Sequence, residues 1–413
     1  MSTVSLGLFE AFGIEMEYML VDRETLEVRP VADKVLAAMA GHTTCDVEIG
    51  PISWSNELAL HVIELKTTKP KRRLRRLPSM FETAISEISP ILDGMGLCLL
   101  PSAVHPWMNA TTETRLWPHE YHEIYETYDR IFNCRTHGWS NVQSVHLNLP
   151  FKHAAEFAKL HAAVRLVLPL LPALAASSPV LDGKYTGLLD TRMNLYADHC
   201  RAVPSLTGNL IPEPIFDEAA YRREIFTPIA NDIGKLDPQG QMEVEFLNAR
   251  GAIARFDRGS IELRVMDVQE YPAADVSICA AVTSLVRALC DQRWLPLEKQ
   301  QSISTADLRS ILDQTTAHAE NATIEDAGYL QHFGIRKSSI TAGQLWSTLL
   351  GELRREDATL DNLFAPIQII LESGTLATRI THALGPQFSR ERLADVYRDL
   401  ADCLHRWVPF QSL

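Results

Sequence analysis

What this 413-residue chain has little of narrows its function before any motif is read. Positive charge is in short supply: 39 Lys and Arg stand against 52 Asp and Glu, for a formal net charge of −13. A general binder of the nucleic-acid backbone needs net or patchy positive charge, so no nucleic-acid partner is expected. The seven cysteines (Cys45, Cys98, Cys134, Cys200, Cys279, Cys290 and Cys403) include no C-x-x-C pair. That excludes a disulfide framework or zinc ribbon and suits reduced thiols in a cytosolic protein. The most apolar run, Leu166–Ala176, holds two prolines and falls far short of the roughly 20 residues that cross a bilayer. It is expected as a buried core helix. The stretch from Ser2 to Gly13 carries no basic residue ahead of its apolar part, so it is not a signal peptide. A soluble, cytoplasmic protein with no membrane partner is the expectation.

What the chain does have is an ordinary globular composition, 46% hydrophobic and 22% charged, with length enough for a large core. The first two-thirds mixes strand and helix patterns. Strands are predicted at Ala11–Val21, Leu58–Thr67, Gln143–Leu149, Met242–Asn248 and Ser260–Asp267. Helices are predicted at Val31–Met39, Met80–Ser89, Glu120–Phe132, His153–Leu171 and Ala274–Leu289, the last introduced by Pro272 and Asp275. Beyond Asp291 only helical periodicity is found, over Thr305–His318, Ala342–Arg355, Leu360–Glu372 and Ser389–Val408. The predicted organisation is an α+β catalytic region, 1–290, and a helical C-terminal region, 291–413, packed on the same body.

The chemistry sits on the strands. Side chains of a strand alternate between faces, so Glu15 and Glu17 share one face while Ile14, Met16 and Tyr18 share the other. Adjacent carboxylates on a core strand repel and are costly to desolvate, a cost that a divalent cation removes. A solvated edge strand would show the same alternation. The arrangement recurs, however. Ser144, His146 and Asn148 share a face opposite Val145, Leu147 and Leu149, and Glu262 and Arg264 share one opposite Ile261, Leu263 and Val265. Glu64 interrupts an apolar row with Leu60 and Val62, and so needs a partner. Together these strands suggest a curved antiparallel sheet with one face on helices and the other lining a polar cleft. In such a cleft carboxylates take metal and Arg stabilises a transferring phosphate. The outer surface of a sandwich remains the other reading of the pattern alone.

Here the sequence resembles the glutamate–cysteine ligase family, in particular its bacterial carboxylate–amine ligase branch, family 2. The matching stretches are Gly13–Tyr18 (GIEMEY), Asn56–Thr68 (NELALHVIELKTT), Ser144–Asn148 (SVHLN), Ala175–Tyr196 (AASSPVLDGKYTGLLDTRMNLY), Gly259–Val268 (GSIELRVMDV) and Gly374–Ile380 (GTLATRI), in the family's order. The resemblance implies a fold like that of glutamine synthetase and glutamate–cysteine ligase, with a curved antiparallel sheet forming a funnel-shaped site. It implies that ATP phosphorylates a carboxylate of a glutamate-like acid and that a small amine, cysteine being one candidate, displaces phosphate to leave an amide, a glutathione-biosynthesis type of reaction. It places metal ligands at Glu15, Glu17, Glu64, His146 and Glu262, with Glu57 a further ligand, for two or three Mg2+ ions or Mn2+ in their place. It sets Arg264 against the transferring phosphoryl group and Arg192 and Asn148 against substrate or phosphate. Many relatives carry His-x-His in the third motif, where this chain has Ser144, and the segment Asn248–Arg258 is longer and more basic than the family's pattern.

Other features are read as structural. The basic run Lys66–Pro78 has no interleaved aromatics and is predicted to be a solvated helix start or loop face. His105, His119, His122 and His137 match no metal spacing and are predicted to be packing or surface residues, in a segment that could form a lid. Gly183-Lys184-Tyr185 lacks the Gly-rich loop of a P-loop. The C-terminal helices are equally compatible with a homo-oligomer interface and with a cover for the funnel. Two other functions share this pattern, an ATP:guanidino or amine phosphotransferase on the same fold and a non-catalytic relative that only binds metal or nucleotide.

Overall fold

The computed structural model describes residues 6–411, so residues 2–5 of the N-terminal stretch lie outside it. Eight strands form the main sheet: β1 Gly13–Asp22, β2 Asp46–Ile49, β3 Ile52–Asn56, β4 Val62–Thr67, β5 Leu97–Leu100, β6 Ser144–Pro150, β7 Ala252–Arg255 and β8 Ser260–Asp267. They run in the order β2-β3-β4-β1-β6-β8-β7, every neighbour antiparallel, and β5 pairs with β1 beyond the end of β6. The sheet is open, with edges at β2 and β7.

One face of the sheet carries the alternate apolar residues Ile14, Met16, Tyr18, Trp54, Ile63, Leu65, Leu147 and Leu263, all fully buried. They enter the same core as the apolar stripes of helices α1 Leu77–Gly94, α3 Ala154–Val167 and α5 Pro272–Cys290. Helix α5 has Pro272 in its first turn, where the missing N–H costs nothing, and Asp275 beside it. It is the one helix among the described residues long and apolar enough to cross a membrane, yet 89% of its apolar window is buried inside the protein. A core helix passes that test as readily as a membrane span.

Four departures from the predicted elements have local causes. Leu166–Ala176 is buried as expected, but it is the end of α3, a 3-10 turn at Leu168–Leu170 and a short helix at Pro172–Ala175. Pro169 and Pro172 lack the amide that an unbroken helix would use. Met242–Asn248 is not a strand: Val244–Leu247 is one helical turn, which buries Leu247 and leaves Phe246 exposed. Its alternation finds no neighbouring strand to pair with. Leu58–His61 turns, and the strand begins only at Val62. Past residue 291 a two-residue ribbon, Thr323–Ile324 with Ile340–Thr341, adds to the helices.

The C-terminal helices close over the broken apolar run. Trp346 Nε1 donates to Leu170 O at 2.9 Å and Tyr329 Oη to Leu166 O at 2.7 Å, each satisfying a buried carbonyl of that run. The GTLATRI block packs against the end of the broken run, where Ala377 N donates to Ala176 O at 2.9 Å. Its Arg379 is buried against Glu270 at 2.7 Å and donates to Phe410 O, which ties the end of the chain to the segment after β8.

Candidate active site

The other face of the sheet is a row of charge. The register sets Glu17 opposite Glu64, Glu15 opposite Lys66 on one side and His146 on the other, and Glu262 opposite Asn148. Side chains directly across antiparallel strands are neighbours, so these polar residues converge without any loop to carry them. Glu17, Glu64, His146 and Glu262 are only 4–9% exposed, too buried to be a wet surface. Buried charge of this density must be paired.

The pairing is dense. His146 Nδ1 lies 3.2 Å from Glu15 and 3.8 Å from Glu262, and Nε2 lies 3.9 Å from Glu17. Burial works against an imidazolium here, but the Glu15 hydrogen bond and the Glu17 charge outweigh it and lift His146 to about 9. Ser144 precedes His146 on the same strand and the same face. Its backbone N–H donates to Glu17 at 2.8 Å and its hydroxyl contacts both Glu17 and His146, so it orients the two. Burial and the charges of Glu17 and Glu64 push Glu57 up to about 8.

Arg264 sits at a bulge. Leu263 pairs with Leu147 but Met266 pairs with Val145, so Arg264 and Val265 together face His146. Strand alternation sets Arg264 beside Glu262, its Nε 2.8 Å from that carboxylate, and the extra residue brings Asp267 alongside Ser144. Gly251 accommodates the bulge: its carbonyl accepts from Arg264 N, and a Cβ there would stand 2.7 Å from Val265. Asp267 accepts from Ser177 N and Ser178 Oγ and lies 3.6 Å from Arg192. Arg192 rides on helix α4, Thr191–Asp198, which Asp190 caps, and donates to Arg264 O at 2.9 Å.

Two cavities meet at this cluster, sharing Glu17, Glu57, His146 and Arg264. One, of about 610 Å3, is polar and adds Glu15, Glu64, Lys66, Arg255, Arg258 and Glu262. The other, of about 670 Å3, has Arg192 and Ser144 at the shared end and aromatic or aliphatic walls beyond, including Tyr128 and Trp139. Asn148 lines neither cavity. Its amide donates to Glu15 at 3.0 Å and steadies that carboxylate.

Sequence reasoning missed several of these residues. Lys66 was grouped with the basic run, but it lies on β4, two residues from Glu64 and on the same face, and bonds Glu64 at 2.9 Å and Ser55 at 2.7 Å. The period-2 alternation that selected Glu64 also selects Lys66. The rest of that run behaves as predicted, with Arg72, Arg73, Arg75 and Arg76 exposed. Arg255, on the undetected strand β7, and Tyr196 were also missed. His105, His119, His122 and His137 line neither cavity, whereas Tyr121, Tyr125, Tyr128 and Trp139 from the same segment do.

The donor set suits divalent cations: hard carboxylate oxygens with one imidazole, around a half-buried Glu57 that is short of positive charge. Among the described residues no three His, Cys, Asp or Glu side chains already stand as a finished ligand cage. The fit is therefore in chemistry and placement.

A crystal structure of glutamate–cysteine ligase from Francisella tularensis in complex with AMP shares the fold, with a TM-score of 0.61 at 13% identity over 97% of this chain and 90% of that one. The chain belongs to glutamate–cysteine ligase family 2, whose sequence profile matches residues 11–399. It is 29% identical to an "Uncharacterized protein" of Archaeoglobus fulgidus over 95% of this chain and 98% of the relative. It is 25% identical to the Ruegeria pomeroyi protein named "Putative glutamate--cysteine ligase 2", covering 89% and 87% of the two chains. The enzyme is an ATP-dependent carboxylate–amine ligase.

Proposed function

We propose that this enzyme activates a glutamate-like carboxylate as an acyl phosphate and joins it to an amine at the junction of the two cavities. The observation that carries the reading is Arg264, placed where a polar cavity lined by carboxylates and cations meets a cavity fit for an organic substrate.

A carboxylate is a poor electrophile because attack on it would have to expel oxide. In the proposed sequence a carboxylate oxygen attacks the γ-phosphorus of ATP, the bond to ADP breaks, and an acyl phosphate forms. The amine lone pair then attacks the carbonyl carbon, the bond to phosphate breaks, and the nitrogen gives up a proton to leave the amide. Arg264 binds the oxygens of the phosphoryl group in transit, and Glu262 holds its guanidinium in place. Arg255, Arg258 and Lys66 bring positive charge to the polar cavity for the polyphosphate, and Arg192 faces the substrate side. Glu15, Glu17, Glu57, Glu64, His146 and Glu262 would hold Mg2+, or Mn2+ in its place. Bound there, the metal supplies neutralisation of the phosphate charge. Holding the two reactants in line supplies the remainder.

Seven free thiols suit a reducing compartment and support a cytoplasmic setting. The bonds from Trp346 and Arg379 support a C-terminal region that packs with the catalytic part.

The test supplies ATP, Mg2+ and pools of acids and amines, measures phosphate release and identifies products by mass. Amide with ADP and free phosphate is the expected result. ADP with a phosphorylated amine and no free phosphate would show a phosphotransferase instead.

A further inference from the structure

We infer that the amine joined by this ligase carries an apolar group of about benzyl or branched-alkyl size, seated in the aromatic-walled cavity. The inference rests on the ligase reading of the same cleft.

Most of the cavity's charge lies at one end. Glu17, Glu57, His146 and Arg264 line the end shared with the polar cavity, where the reacting atoms must lie, and Arg192 bonds Arg264 O there. The rest of the lining is mainly aromatic or aliphatic, including Tyr128, Trp139, Cys200, Leu206, Met242 and Leu247, with Gln241 and Glu243 among it. A volume of about 670 Å3 falls in the range that encloses a drug-sized ligand, and leaves room for an apolar group on the amine beside the acid.

The walls offer mainly ring faces. Trp139 spends its Nε1–H on His199 O at 2.9 Å, and Tyr125 Oη accepts from Asn56 at 3.1 Å. His199 stacks on Tyr196 with centroids 4.4 Å apart, and burial pushes it down to about 4, so it presents a neutral ring. The wall is also braced from behind: Trp139 stacks on Phe132 at 5.2 Å and packs against Tyr128 at 5.4 Å. Side chains locked in this way do not collapse around a small amine. A small polar amine leaves the apolar wall wet, whereas an apolar group displaces that water and is held for the second step. Each methylene gained or lost in such a pocket is worth roughly tenfold or more in specificity.

The experiment runs the whole enzyme with ATP, Mg2+ and glutamate against L-phenylalanine, L-leucine, phenethylamine, L-cysteine, L-alanine and ammonium, scoring amide by mass and kcat/KM by phosphate release. At least one apolar amine is expected to exceed cysteine and alanine tenfold or more. Val142, half-buried on the cavity wall, supplies the second arm. Val142→Phe is expected to lower kcat/KM for the preferred apolar amine at least tenfold more than it does for ammonium. Cysteine or alanine as the best amine overturns the inference and leaves the ligase intact. So does an unchanged ratio in Val142→Phe, or faster amide formation when the apolar group is on the acid. No amide with any pair would remove the ligase reading and this inference with it.

Discussion

The two cavities that meet at Arg264 are made in different ways. The polar one is made chiefly by strands: β1, β3, β4, β7 and β8 each turn alternate residues towards it, and hydrogen-bond register alone aligns them. The aromatic-walled one draws on helix α2, His122–Phe132, the turn at His137–Ser140, helix α4 and the segment around residues 241–249. Chemistry common to a family suits the first kind of structure, whose geometry the sheet imposes. Substrate choice suits the second, where helices and loops change without disturbing the sheet.

Removing a carboxylate from the strand-built side is the most severe test of that contrast. Glu15→Gln and Glu262→Gln are each expected to lower metal-dependent turnover about a thousandfold, roughly 4 kcal/mol, with far-UV circular dichroism unchanged. Full activity in both would refute the assignment of the site. Arg379→Met probes a family motif outside both cavities. It leaves Glu270 as an unpaired buried charge, so a loss of about 3 kcal/mol of stability is expected, with kcat of the folded enzyme close to wild type. A kcat collapse without destabilisation would place Arg379 in the chemistry.

Histidine titration followed by NMR compares the two sides within one residue type. His146, raised to about 9, stabilises the folded state fully below pH 6.5, and that contribution fades as pH rises through about 9. His199, lowered to about 4, contributes fully above pH 6.5 and loses that as pH falls towards 4. Each changes stability by roughly 1.4 kcal/mol per pH unit inside its window. Added Mg2+ is expected to make His146 release its proton at lower pH and to leave His199 unmoved. Equal titration of both rings near pH 6.5 would erase the contrast. The mildest change is Ser144→Ala, which removes the hydroxyl contacts but keeps the backbone bond to Glu17. About 1 kcal/mol, read as a fivefold higher Mg2+ requirement, is expected.

The strands that carry the motifs were readable because their alternation was regular over six or more residues. β2, β3, β5 and β7, of four or five residues each, were not. Ser53 and Ser55 blur the pattern of β3, and β5 is uniformly apolar. The same brevity made Met242–Asn248 look like a strand. Lys66 was hidden by the arginines that follow it. Asn148 was read towards substrate, whereas its amide reaches Glu15.

By itself the sequence determined which side chains share a strand face, because that periodicity is a property of the extended backbone over two residues. It therefore contained Glu15 with Glu17, Ser144 with His146, and Glu262 with Arg264 before any fold was known. Only the tertiary structure decided which strands lie side by side, that a bulge would bring Asp267 to the polar face near Arg192, and that residues near 57, 128, 142, 192 and 247 would enclose one cavity. Those contacts join segments tens to hundreds of residues apart. They depend on how the helices pack and on where Gly251 lets β8 approach, and no local pattern encodes either.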